Sequence, residues 1–345
     1  MSQRAVVALA LAALSALVAC GGRGDDAADD DGPAIDAAGD GATCNPAAPR
    51  AMAPEVIVGP GTGNAALEER VVAAIDAATR SIDVHMYTFT VDRIANRLIA
   101  ADQRGAPVRV ILDQSQVGAA GTKSQLEAGG VEVKYASTTF PNAHAKYMVI
   151  DGALDFIISG NFTVAGFDDQ RNYAVVDRDP DDVADLAAIF AADWNGQTAT
   201  LDCTRLVVTP GDARARVLGF INAATATLDV EVYYISDSAV RVALIQAMTR
   251  GVAVRVLLAD PADMSENATT ATTLKDAGVT VKVLTPPVVH AKMIIADGVA
   301  LIGSNNMSST SLRENREIGV FVREGNAAAP AVAQFNGDWA AARAW

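Results

Sequence analysis

The chain repeats itself. Ser81-Ile82-Asp83-Val84 returns as Thr227-Leu228-Asp229-Val230, displaced by 146 positions. Arg104-Gly105 and Val108-Arg109-Val110-Ile111-Leu112 return at the same displacement as Arg250-Gly251 and Val254-Arg255-Val256-Leu257-Leu258. Tyr87 maps to Tyr233, and Phe190 with Asp193-Trp194 maps to Phe335 with Asp338-Trp339. Agreement held at one offset over so many positions marks a duplicated unit. Two copies of this length point to paired domains, since a solenoid needs more repeats. The 345 residues suit two domains of roughly 150 residues, each able to bury its own core.

Within each copy the pattern alternates strand and helix. Glu55–Val58 reads as a short strand ending in Gly59-Pro60-Gly61, and Ala65–Thr79 carries apolar residues at helical spacing. Ile82–Phe89 and Val108–Leu112 are rich in apolar and β-branched residues, the mark of strands covered on both faces. Val91–Ala101 is the helix between them, and Gly130–Lys134 a further strand. Asp151-Gly152, flanked by Lys146–Ile150 and Phe156–Ser159, is a hairpin dipeptide that Asp297-Gly298 repeats. The fold class expected is α/β, built as two repeated α/β/α sandwich domains. They meet as an internal pseudo-dimer, and the seam is a natural place for a cleft. The Gly59–Gly63 turn lacks the Lys-Ser/Thr ending of a phosphate loop and reads as a strand-to-helix turn.

The N-terminus is set apart. Arg4 precedes an apolar run from Ala5 to Ala19 that is short for a membrane span and has the shape of a secretory signal. Its end, Leu17-Val18-Ala19-Cys20, resembles the bacterial lipoprotein cleavage box. That resemblance implies removal of residues 1–19 and acylation of Cys20, with the mature protein held on a membrane surface of the bacterial envelope. Residues 20–50 are mainly Gly, Ala, Asp and Pro and read as an acidic, disordered tether. Two domains follow, expected over 51–203 and 204–345. With Cys20 lipidated, Cys44 and Cys203 remain, and an exported chain favours a disulfide between them.

Histidine and lysine are scarce: three and six among 345 residues. Yet His144-Ala145-Lys146, then Asp151, then Ser159-Gly160-Asn161, is echoed by His290-Ala291-Lys292, Asp297 and Gly303-Ser304-Asn305-Asn306. These resemble the duplicated signatures of the phospholipase D superfamily, over nearly all of residues 55–345. The chemistry needs these residue types. A phosphodiester is an anion with a poor leaving group, so its exchange needs a nucleophile, an acid and positive charge over the phosphoryl oxygens. Lys146, Lys292, Asn161 and Asn306 can cradle those oxygens, and Ser159 and Ser304 can add hydroxyl bonds or hold the lysines. One imidazole attacks phosphorus to give a phosphohistidine, while the other protonates the leaving group. No metal or cofactor is expected.

The resemblance also implies an acid about 27 residues beyond each His. It is Glu317 in the second copy, while the first has Asn172 in its place. A carboxylate stabilises a positively charged imidazole. The resemblance makes the first-copy His144 the nucleophile, with Glu317 reaching it across the seam, and His290 the acid. Asp151 and Asp297 read as hairpin residues in a supporting role. His85, whose counterpart is Glu231, reads as a satisfied buried histidine, and Trp194 and Trp339 as core.

The motif specifies the reaction and not the leaving group. The net charge of −14 disfavours a protein that holds nucleic acid by its own field. The tether and the compartment favour a phospholipid partner. The expected function is a phospholipase D-type phosphodiesterase hydrolysing phospholipid, acting as a monomer with an internal pseudo-twofold. The alternatives are a metal-independent endonuclease, a phosphatidyltransferase of the cardiolipin synthase kind, and a membrane-held phosphate-binding module without catalysis.

Overall fold

Strands that read as buried on both faces need helices on both sides, and the chain supplies them. A computed structural model describes residues 45–345. The signal-like segment, Cys20 and Cys44 lie outside the described residues, as does most of the expected tether. Cys203 is disulfide-bonded.

The first sheet runs in the order Glu55–Gly59, Gln170–Asp177, Leu154–Ile158, Lys146–Ile150, Ile82–Met86, Val108–Leu112, Glu132–Tyr135. Its last three strands are parallel and the others antiparallel. The second repeats it as Leu206–Thr209, Glu317–Val322, Val299–Gly303, Lys292–Ala296, Thr227–Val232, Ala253–Ala259, Thr280–Leu284, and adds Arg343–Ala344 at the edge. Alternation decides what each side chain meets. Ile82, Val84 and Met86 enter a core under the first copy's outer helices, and Leu228, Val230 and Val232 enter its counterpart. Tyr147, Val149, Tyr173 and Val175 face the other way, into a third core shared with Met293, Ile295, Ile318 and Val320 of the second copy.

That shared core is the seam. The helices Pro180–Asn195 and Ala329–Ala341 contribute Leu186, Ile189, Phe190 and Phe335 to it, together with Trp194 and Trp339. Arg109 lies 5.5 Å over Trp194 and Arg255 5.5 Å over Trp339, so the repeat-related tryptophans are packed alike. Charge also crosses the seam: Arg171 pairs with Asp338 at 2.6 Å and Arg316 with Asp193 at 2.7 Å. Breaking one such buried pair costs about 3–5 kcal/mol, because the remaining charge has nowhere to go. Arg50 spans both repeats in the same way, meeting Asp182 at 2.6 Å, Asp177 at 2.7 Å and Glu324 at 3.0 Å.

The elements differ from expectation mainly at their ends. The strand expected to reach Phe89 stops at Met86. Beyond it Thr90 and Val91 bond to the Phe162 carbonyl, drawing the chain beside Asn161. A two-residue strand, Val288–Val289, leaves its own sheet and pairs in parallel with Gln170–Arg171 of the first copy. Its counterpart is one bond, from the Arg316 amide to the Asn142 carbonyl at 3.0 Å. Both crossings immediately precede a motif histidine.

Candidate active site

Each motif histidine stands two residues before a central strand, the strands beginning at Lys146 and Lys292. Both lysines are buried, and each turns its ammonium back on its own motif. Lys146 bonds the His144 carbonyl, and Lys292 bonds the His290 carbonyl at 2.7 Å. Lys292 also reaches the Ser159 carbonyl of the first copy at 3.2 Å and lies 3.0 Å from His290 Nε2. Tyr87 sets its ring edge-on to His144 at 4.5 Å, and Tyr233 lies 5.2 Å from His290.

The imidazoles are held from opposite copies. Glu317 comes from the second repeat and receives His144 Nδ1 at 2.8 and 2.9 Å. Asn172 comes from the first repeat and receives His290 Nδ1 at 3.0 Å through its Oδ1. With Nδ1 donating, each ring keeps its Nε2 lone pair for the cleft. The holders are themselves held. Ser159 donates to Asn172 Oδ1 at 3.0 Å, and Asn172 Nδ2 donates to the Gly166 carbonyl at 2.9 Å. A side chain on Gly160 would come within 2.7 Å of Asn172, so glycine is needed there. Glu317 accepts from Ser311 and, at 3.1 Å, from Asn315 Nδ2.

Burial dominates the electrostatics. It pushes His144 down to about 4, against the pull of Glu317, and Lys146 down to about 7. His290 and Lys292 are driven well below their ordinary values by burial, and further by the lysine charges nearby. Burial works to raise the Glu317 pKa, but the charge and hydrogen bond of His144 bring it below the usual carboxylate value. Four buried bases thus surround one carboxylate. An anion entering between them supplies counter-charge and favours their protonated forms. Asn161 Oδ1 and Asn306 Oδ1 are buried without a hydrogen-bond partner, so both amides remain uncommitted at that atom.

Other expected residues sit elsewhere. Asp151 and Asp297 occupy the hairpin turns with φ of 56° and 49°, a strand's length from the histidines. Asp151 accepts from the Arg80 and Ser81 amides at 2.7 and 3.0 Å, and Asp297 from Ala226 and Thr227 at 2.9 and 2.8 Å. They fasten the start of a neighbouring strand and touch neither imidazole. The serine hydroxyls do not hold the lysines. Ser159 is spent on Asn172 and on the Tyr173 amide, and Ser304 on Ile318, because both serines end sheet strands whose neighbours claim them. His85 is buried, but both ring nitrogens lack hydrogen bonds, with Asp193 Oδ2 3.6 Å away, so it is not the satisfied histidine expected. Its counterpart Glu231 accepts from Tyr173 at 2.8 Å and is pushed up to about 8 by burial. Ser311, Asn142 and Asn315 escaped the sequence reading. For Ser311 and Asn142 the one signal was that the repeat-related residues, Gly166 and Val288, are of different chemical type; Asn315 gave none, since its counterpart Gln170 is also an amide.

A family model described as "Cardiolipin synthase, PLD-like domain" matches residues 71–194 and again 217–339. A protein of Pseudomonas aeruginosa named cardiolipin synthase A is 27% identical over 318 residues, covering 79% of this chain and 64% of its own. A cardiolipin synthase of Listeria welshimeri is 25% identical, covering 74% of this chain and 63% of its own. The chain therefore spans under two thirds of the length of these curated relatives. Among solved structures, the phosphatidylserine synthase of Haemophilus influenzae superposes with a TM-score of 0.67 at 10% identity, over 84% of this chain and 87% of that one. That likeness is one of fold.

Proposed function

The chain belongs to the phospholipase D-like family, and from that premise we propose that it transfers a phosphatidyl group between alcohols through a phosphohistidine. His144 Nε2 attacks phosphorus as the bond to the leaving oxygen breaks, and His290 gives that oxygen a proton. The acceptor alcohol then loses its proton to His290, its oxygen attacks phosphorus, and the P–N bond to His144 breaks. The positive charge on a phosphorylated His144 is balanced by Glu317 behind its Nδ1. His290 has only a neutral amide behind it, which suits a group that must surrender its proton. Lys146, Lys292, Asn161 and Asn306 take the phosphoryl oxygens.

The observation that carries the exchange chemistry is the Glu317–His144 contact across the seam. The alcohol as acceptor is supported by the relatives named cardiolipin synthase. Water in the same place gives phospholipid hydrolysis, the reading favoured by the sequence alone. A lipid on Cys20 would keep the site beside its substrate in the bacterial envelope. The test is incubation with phosphatidylglycerol vesicles in the presence of chelator, beside the His144→Ala variant. Cardiolipin with free glycerol is the expected product. Phosphatidic acid alone would replace transfer with hydrolysis, and cleavage of single-stranded DNA without lipid turnover would overturn both.

A further inference from the structure

His144 is held by more than Glu317. The Tyr87 hydroxyl donates to Asn142 Oδ1 at 3.2 Å, Asn142 Nδ2 donates to Asn315 Oδ1 at 3.2 Å, and Asn315 Nδ2 donates to Glu317 Oε1 at 3.1 Å. Glu317 meets His144 Nδ1, and the His144 ring packs against the Tyr87 ring, 4.5 Å between centroids. The circuit is closed. It crosses the seam between Asn142 and Asn315 and again between Glu317 and His144, with the Arg316–Asn142 backbone bond at its centre.

Every donor in the chain points toward the carboxylate. The second half of the molecule has no such chain. Where the first has Asn142, the second has Val288, and opposite Asn315 stands Gln170, whose Oε1 is buried without a partner. The Tyr233 hydroxyl reaches only the Asp263 carbonyl, at 3.4 Å. The linked chain of two amides and a carboxylate is thus present on one side of the pseudo-twofold and broken on the other, where Val288 is apolar, Gln170 Oε1 has no partner and Asn172 replaces the carboxylate.

We infer that Tyr87, Asn142 and Asn315 are positioning residues that hold Glu317 ionised and aimed at His144 Nδ1, and so confine nucleophilic attack to the first histidine. The inference rests on the reading of His144 as the attacking group. Amides carry no protons onward, so the chain acts by orientation and by stabilising negative charge. The titratable groups facing Glu317 are His144, Lys146 and Tyr87 from the first copy and Lys292 from its own. Loss of the amide donors makes Glu317 easier to protonate, so activity should fail at a higher pH as acid is added.

The experiment uses the full chain and bis(4-nitrophenyl) phosphate, whose leaving group needs no acid, with phosphohistidine formation followed by rapid quench. Asn142→Leu and Asn315→Leu should each slow phosphoenzyme formation by about 10- to 100-fold and move its acid limb to higher pH. Tyr87→Phe, which removes one hydroxyl, should do so by a few-fold and serves if either leucine variant fails to fold. Gln170→Leu, at the position related to Asn315, should leave the rate unchanged. Slowing without displacement of the acid limb would reduce the chain to packing and overturn the inference, as would unchanged rates. A fully active His144→Ala would instead sink the reading beneath it.

Discussion

The two halves of the site share one backbone plan and differ in what stands behind each imidazole. His144 has a carboxylate that also accepts from Ser311 and Asn315. His290 has an amide shared with Ser159, and a lysine ammonium against its ring. Duplication supplied two equal histidines; substitution around them left one beside a carboxylate and the other beside a neutral amide. The lesson is that what holds each imidazole comes from the opposite copy, and not from the His-Lys motif, which is the same in both.

That contrast can be broken most severely at the rings. His144→Ala should lower turnover by about 10,000-fold, since no phosphoenzyme can form. His290→Ala should cost about 100- to 10,000-fold on an alkyl phosphodiester but little on the 4-nitrophenyl ester. A phosphoryl group trapped on His290 in the wild-type protein would invert the assignment. The next effect belongs to the holders. Glu317→Gln should reduce phosphoenzyme formation by roughly 100-fold or more, whereas Asn172→Asp should alter proton transfer alone and move the basic limb of turnover to higher pH. Equal losses for the two would erase the distinction drawn here.

The smallest effect is on binding. Lys146 is held down to about 7 by burial, and an anion in the cleft raises it. The bound state then holds more protons than the free one, so affinity should fall as pH rises above about 7, by up to about tenfold per unit for each proton taken up. Calorimetry with tungstate between pH 6 and 9 would show this, and Lys146→Met should flatten the slope. An affinity independent of pH in the unsubstituted protein would contradict it.

The duplication, the central strands and the His-Lys pairs were legible in the sequence because each leaves a local pattern: a fixed offset, apolar runs, a short spacing. Glu317 was legible only by its distance from a motif. Asn142 and Asn315 were not, because an asparagine in a loop is ordinary until a partner from the other copy stands 3.2 Å away. Val288–Val289 is too short to announce a strand, and its partner lies in the other repeat. Arg50 read as the last residue of a tether, yet it is buried among acids from both halves. In each case the missing information is tertiary, and most of it sits at the seam.

The crossing of Glu317 to His144 also has a bearing on when the site becomes complete. A first repeat that has folded before its twin carries His144 and Lys146 but not Glu317, and a second repeat alone carries Glu317 without His144, and His290 without Asn172. Neither holds the Glu317–His144 pair. The Glu317–His144 pair is therefore complete only once the two halves have docked, so neither repeat by itself carries the whole site.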